Sequence, residues 1–175
     1  PEAREAMLRW LGGPESDGFG NPHSAHRMGR MARAAVELAR DQVAALMPPG
    51  GRVIFTGGAT EALNLAIRGT VPRPSESWGL PRDSAPSLEA PASAGARIAI
   101  SAIEHSAVGD TAKAAYTIPV DNEGLTDPSC NLPEDARLIA VMQVNNEIGT
   151  LQPVAQWAAR TREKGALFLC DAVQS

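Results

Sequence analysis

The stretch RVIFTGGATEALNLAIRG, residues 52–69, decides how the chain is read. A β-favouring run, Val53 to Thr56, stops at Gly57-Gly58, and Leu63, Ala66 and Ile67 then recur on one helical face. The pattern predicts a strand, a tight glycine turn and a helix. With Gly58 as N-cap, Ala59, Thr60 and Glu61 form a first turn whose N–H groups lack intrahelical partners and whose dipole favours an anion. Glycines let the backbone approach a bulky oxyanion closely, so phosphate is the natural ligand, with the Thr60 hydroxyl beside it. The same turn also fits a plain helix start in which Glu61 reaches back as a capping-box partner. It has neither the lysine of a Walker loop nor GxGxxG spacing.

Upstream, residues 1–11 have the spacing of a short amphipathic helix that ends at Gly12-Gly13-Pro14. Ser24 is the expected N-cap of a longer helix from Ala25 to Met47, in which Met28, Ala32, Ala35, Val36, Ala39, Val43 and Leu46 share a face. Pro48-Pro49-Gly50-Gly51 stops it. Downstream, residues 71–95 are crowded with Pro, Ser, Ala and Gly and read as an insertion. A buried strand is expected over Arg97–Ile103, followed by a helix from Ser106 through Ala115. Tyr116–Val120 reads as a short strand that Pro119 confines to an edge or an end. Residues 126–136 are too broken by Pro and Asn for a helix. Leu138–Val144 is a continuous apolar run, as in a strand buried on both faces. Pro153 opens a helix through Lys164 that buries Val154, Trp157, Ala158 and Thr161, and Ala166–Cys170 follows as another buried strand.

Strands alternating with helices imply an α/β fold with a largely parallel sheet and right-handed crossovers. In such a sheet the carboxyl ends of the strands share one rim, where ligands bind. Here the strand ends at Thr56, Ile103, Val144 and Cys170 deliver Gly58-Ala59-Thr60, His105, Asn146 and Asp171. A cofactor with a phosphate and a heteroaromatic ring uses all four.

The composition sets outer bounds. The 175 residues suffice for one globular domain with a core, and a net charge of −4 leaves no electrostatic footprint for nucleic acid or an anionic membrane. Cys130 and Cys170 have no metal-ligand spacing and fit a reducing compartment. No apolar run approaches a membrane span and no signal-peptide pattern opens the chain, so a cytoplasmic location is expected.

Several stretches carry a family resemblance. They are Gly20-Asn21-Pro22 with His26 and Gly29-Arg30, residues 58–64 (GATEALN), Ile103-Glu104-His105, Val120-Asp121 with Gly124, residues 145–150 (NNEIGT) with Gln152-Pro153, and residues 171–175 (DAVQS). In order and spacing they resemble the first half of a cysteine desulfurase, a fold-type I pyridoxal-phosphate (PLP) enzyme of the class V aminotransferase group. The resemblance implies a partial large domain over residues 23–175, interrupted by the insertion at 71–95 and preceded by an N-terminal helix and loop at 1–22. It implies that Ala59 and Thr60 hold the PLP phosphate, and that His105 stacks on the pyridine ring and assists proton transfer. Asp171 pairs with the ring nitrogen. Asn146 and Gln174 lie near the ring's 3-oxygen, with Asn146 also placed for the substrate carboxylate. The complete enzyme implied is a homodimer that converts L-cysteine to L-alanine and hands persulfide sulfur to an acceptor protein for iron–sulfur cluster or thio-cofactor synthesis.

Three family features have no counterpart in residues 1–175. The Schiff-base lysine belongs to a Ser-x-His-Lys segment beyond the DAVQS motif, and neither Lys113 nor Lys164 matches it. The acceptor cysteine sits on a later loop, so neither Cys130 nor Cys170 inherits its role, and the opening Asn-Ala-Thr-Thr-Pro segment is absent. The expectation is an internal portion of a desulfurase, or one piece completed by another chain, inactive by itself. Selenocysteine lyase or another class V enzyme, and a truncated non-catalytic fragment, are the alternatives. A Rossmann nucleotide-binder lacks its glycine fingerprint here. Replacing residues 71–95 with a short Gly-Ser linker is expected to leave the thermal unfolding midpoint and cofactor affinity nearly unchanged, because that composition buries too little apolar surface to offset its ordering.

Overall fold

The computed structural model describes residues 2–11, 18, 20–70, 97–113 and 115–175. The expected insertion at 71–95 and the glycine stop at 12–14 lie outside the described residues. The chain divides into two compact units, Pro1–Phe55 and Thr56–Ser175.

The first unit holds helices α1 (Glu2–Trp10) and α2 (Arg27–Ala44). Helix α2 is shorter than expected at both ends. His26, not Ser24, is the N-cap, with Nδ1 accepting from the Gly29 amide at 3.2 Å. An imidazole nitrogen serves here as well as a hydroxyl, because the cap needs only an acceptor within reach of the third amide. Gly29 is required by its surroundings, since a Cβ there would come 2.3 Å from the Ser24 carbonyl oxygen. Of the predicted apolar face only Ala32 is buried, and Val36, Val43 and Leu46 are exposed. The strand expected at Val53–Thr56 does not form. Ile54 and Phe55 are 59% and 49% exposed, the Arg40 guanidinium donates to the Val53 carbonyl, and it lies 5.0 Å from the Phe55 ring centroid. β-branched and aromatic residues favour a strand only where a neighbouring strand supplies the ladder.

Among the described residues the second unit begins with α3 (Ala59–Thr70) and contains four strands: β1 (Ile98–Ser101), β2 (Tyr116–Ile118), β3 (Leu138–Ala140) and β4 (Leu167–Leu169). They form one sheet in the order β2-β1-β3-β4, and every pairing is parallel. One-turn helix α4 (Ser106–Gly109) follows β1, and α5 (Val154–Glu163) precedes β4. Alternation along the strands sorts the core onto two faces. Ile98, Leu138 and Ala140 pack with Leu63 and Ile67 of α3 and with Ala107, Val108 and Ala112. On the opposite face Ala99, Ile139 and Val141 pack with Ile118 and with Trp157 of α5. The expected α/β architecture is therefore present: a parallel sheet covered on both faces.

Several boundaries shift. The helix expected from Ser106 to Ala115 is the single turn α4, because Gly109 is a weak helix former and Asp110 caps the turn. The strands expected over 97–103, 116–120 and 138–144 shrink to three or four residues, losing mainly their C-terminal ends. Strand β4, expected to be buried, lies at the sheet edge with Leu167 57% exposed. No helix forms over 126–136, as expected. Helix α5 buries Trp157 and Thr161 fully, while Val154 and Ala158 are half-buried.

A side-chain network ties α5 to the segments that follow β2 and β3. Gln152 Oε1 accepts from the Thr126 amide and hydroxyl, Gln152 Nε2 donates to the Gly124 carbonyl, and Trp157 Nε1 donates to Thr126 Oγ1. All three of Thr126, Gln152 and Trp157 are buried. Gln152→Ala leaves two donors and a carbonyl without partners and is expected to cost about 2–3 kcal/mol. Among the described residues the buried Thr161 hydroxyl has no partner. Thr161→Val is therefore expected to be neutral or to stabilise by up to about 1 kcal/mol, with denaturant unfolding as the measurement for both variants.

Candidate functional site

A cavity of about 820 Å³ opens at the carboxyl rim of the sheet, within the size range of small-molecule sites. Ala59, Thr60, His105, Asn146, Asp171 and Gln174 all line it. The six residues singled out from the sequence thus come together, from four separate segments.

Helix α3 supplies one wall. Its first intrahelical bond runs from Ala62 N–H to the Gly58 carbonyl, which makes Gly58 the N-cap and leaves the Ala59 and Thr60 amides free to face a ligand. Of the two readings of this turn, the plain helix start is seen in Glu61, which reaches back to the residue before the N-cap. Glu61 Oε2 accepts from the Gly57 amide at 2.6 Å in the manner of a capping box, while the next amides remain open. Gly57 permits this reach, because a Cβ there would lie 3.0 Å from Glu61 Oε2. Asn64, one turn on, also lines the cavity. It donates to the Thr60 carbonyl and accepts from the Thr111 hydroxyl. Asn64 was legible as the i+4 neighbour of Thr60 on the same helix face.

His105 is the N-cap of α4, and its Nδ1 accepts from the Ala107 amide at 3.1 Å. A backbone amide can only donate, so Nδ1 carries the lone pair and the neutral ring holds its proton on Nε2. Asp171 follows β4 and is 9% exposed. Its Oδ1 accepts from the Val173 amide at 3.0 Å, and its backbone carbonyl accepts from Gln143 N–H. Of the two adjacent asparagines, Asn145 is buried and structural. Its Nδ2 donates to the Ile103 carbonyl and its Oδ1 accepts from the Glu147 and Ile148 amides, leaving the exposed Asn146 to line the cavity. Met142 and Val144 add apolar surface. The sequence reading missed both, since an apolar run does not reveal which of its residues face a cavity.

Glu104 lies just behind this site. Its Oε1 accepts from the Ser101 hydroxyl and the Met142 amide, each at 2.6 Å. Burial pushes its carboxyl above the ordinary range; the Ser101 and Met142 hydrogen bonds oppose the rise, and the Asp171 charge adds to it. Burial also pushes the Cys170 thiol up, with Glu104 and Asp171 adding to that shift. A carboxyl whose folded-state pKa is raised contributes fully below the ordinary carboxylate range and loses stability as pH rises through the folded value. Glu104→Gln, which mimics the protonated form, is therefore expected to match the parent chain in acid and to become the more stable of the two toward neutral pH. Denaturant unfolding across that range is the check, and a constant difference at every pH contradicts it.

The donor set fits PLP: free helix N-terminal amides with a hydroxyl for a phosphate, an imidazole for an aromatic face, and a buried carboxylate for a ring nitrogen. The profile of the family described as "Aminotransferase class-V" matches residues 14–77 and 84–175. Among curated relatives, "Cysteine desulfurase IscS" of Dictyoglomus turgidum is 35% identical over 99% of this chain and 42% of its own length. A mitosomal cysteine desulfurase of Encephalitozoon cuniculi is also 35% identical, over 99% of this chain and 39% of its own length. Among solved structures, DndA from Streptomyces lividans superposes with a TM-score of 0.72 at 28% identity, covering 99% of this chain and 46% of that one. A NifS-like protein from Rickettsia africae gives 0.69 at 26% identity, covering all of this chain and 45% of that one. The chain spans less than half the length of these relatives. With its parallel sheet and its rim residues in the order found, the chain belongs to the class-V aminotransferase family and resembles the cysteine desulfurases within it.

Proposed function

We propose that this chain is the cofactor-holding portion of a PLP-dependent cysteine desulfurase. The observation that carries the reading is the single cavity that gathers the α3 turn, His105, Asn146, Asp171 and Gln174. The Ala59 and Thr60 amides and the Thr60 hydroxyl hold the phosphate, with the helix dipole favouring its charge. The Asp171 oxygen not engaged by Val173 would accept a hydrogen bond from the ring nitrogen and so favour its protonated form. The His105 imidazole, whose Nδ1 is engaged by the Ala107 amide, would pack on the ring face. Asn146 orients the substrate carboxylate, and Gln174 meets the ring's 3-oxygen. Bound PLP supplies an electron sink that stabilises negative charge at the α-carbon of an amino acid. The overall reaction is conversion of L-cysteine and an acceptor thiol to L-alanine and a persulfide, in a homodimer that passes the sulfur to an acceptor protein in the cytoplasm.

Among the described residues, neither covalent residue lines the cavity. Lys113 is exposed in the turn after α4, and Lys164, at the end of α5, donates to the Glu134 carbonyl. Among the described residues that line the cavity there is no lysine and no cysteine. The 175-residue chain is therefore expected to bind PLP reversibly and to give no adduct that survives borohydride reduction. Mass spectrometry is the readout, and an adduct on Lys113 or Lys164 accompanied by alanine production overturns the reading. Supplying a polypeptide that carries the lysine segment and the acceptor cysteine is expected to restore sulfur release, and Asp171→Ala to abolish it.

The phosphate site has its own check. Titrating inorganic phosphate is expected to shift the amides of Gly58 to Glu61, and Thr60→Ala to weaken binding about tenfold through loss of one hydrogen bond to an anion. Shifts centred elsewhere contradict the assignment.

A further inference from the structure

Beyond Ala140 the chain of β3 continues extended, but its neighbours on the two sides differ. Toward β4 the backbone ladder persists: Val141 N–H donates to the Leu169 carbonyl and Gln143 N–H to that of Asp171. Toward β1 it does not, because β1 ends at Ser101 and the next residues turn, with Glu104 N–H donating back to the Ser101 carbonyl. The intervening amide, Met142 N–H, is taken by the Glu104 carboxyl at 2.6 Å. Met142 is 2% exposed, so its amide has little access to water and its desolvation must be offset within the protein.

We propose that Glu104 is a positioning residue of the cavity: its carboxyl replaces the missing strand at the β1–β3 tip and fixes the separation between the His105 and Asp171 walls. The geometry supplies each link. Consecutive amides of one extended segment point in opposite directions. Met142 therefore holds the turn that carries His105, while Gln143 holds the backbone of Asp171. Glu104 immediately precedes His105 in the chain, so a displacement of one carries the other. The buried Ser101 hydroxyl donates to the same Oε1 and fixes the rotamer of the carboxyl. A second tie, Asn145 Nδ2 to the Ile103 carbonyl at 2.8 Å, crosses the same gap farther out and leaves Glu104 as the inner clamp. The titratable groups facing the carboxyl are Asp171 and Cys170 at the β4 tip, with His105 beside it in sequence. Oε1 accepts in either charge state, so the clamp persists through titration of Glu104.

The consequence for PLP rests on the proposed function; the clamp itself does not. The test uses the 175-residue chain with Glu104→Gln and Glu104→Ala. PLP affinity is read by absorbance titration, inorganic phosphate affinity by amide shifts at α3, and protection of the Met142 amide by hydrogen exchange. Glu104→Ala is expected to lose about tenfold in PLP affinity and in Met142 protection, while Glu104→Gln keeps both, since its amide oxygen accepts the same two bonds. Phosphate affinity is expected to be equal in all three chains, because the phosphate turn is on α3. Glu104→Ala that keeps Met142 protected and PLP affinity intact overturns the proposal. So does an equal loss of phosphate affinity, which marks a general loss of structure, and so does failure of Gln to rescue. A parent chain that binds no PLP counts against the proposed function, and the clamp is then judged by Met142 protection and its rescue by Gln alone.

Discussion

The parallel direction of the four strands is the constraint on which the second unit depends. Parallel neighbours cannot be joined by a hairpin, so each connection must return across a face of the sheet. The sheet is consequently buried on both faces, by α3 and α4 on one and α5 on the other. The same directionality puts every strand's carboxyl end on one side, where the chain leaves the ladder and its polar groups need new partners. The candidate site is built from that need. Its residues sit where regular hydrogen bonding stops.

What holds the rim together is largely side-chain chemistry. Asn145 and Gln152 each satisfy several backbone groups of neighbouring loops, with bonds that span as many as 42 residues in sequence. Asn145 adjoins Asn146, which is proposed to bind a ligand, and in sequence the two have the same polar, loop-like character. The division of labour between Asn145 and Asn146 shows why burial decides it. A side chain whose oxygen and nitrogen are both committed to backbone cannot also serve a ligand, whereas its exposed neighbour can.

Much of this was legible in the sequence. The continuous apolar run at 138–144 marks a strand buried on both sides, Pro119 limits β2 to an edge, and Gly57-Gly58 places the start of α3 within a residue. His105, Asn146 and Asp171 followed from strand ends, since a shift of one to four residues in a strand boundary does not change which side of the sheet it exits, whereas Ala59 and Thr60 followed from the glycine turn alone. Features that depend on tertiary context were not legible. Val53–Phe55 has strand propensity but forms no strand, His26 displaces Ser24 as a cap, and Glu104 gives no periodic signal because its partner amide lies 38 residues away. An edge position for β4 is likewise invisible in ALFLC, whose composition suits a central strand equally well.

The strand order has a kinetic consequence. Strand β1 sits between β2 and β3, so it must be in place before either can pair with it. Its register with β3 joins Ile98 to Leu138, and that of β3 with β4 joins Leu138 to Leu167. Every ladder in the sheet therefore begins with a long loop closure whose entropy is lost before the first hydrogen bond is gained. Helices α3 and α5 can form early and locally. The rate at which this unit reaches its native state is set by the search that brings β1 and β3 side by side, and the carboxyl rim exists only once that search has ended.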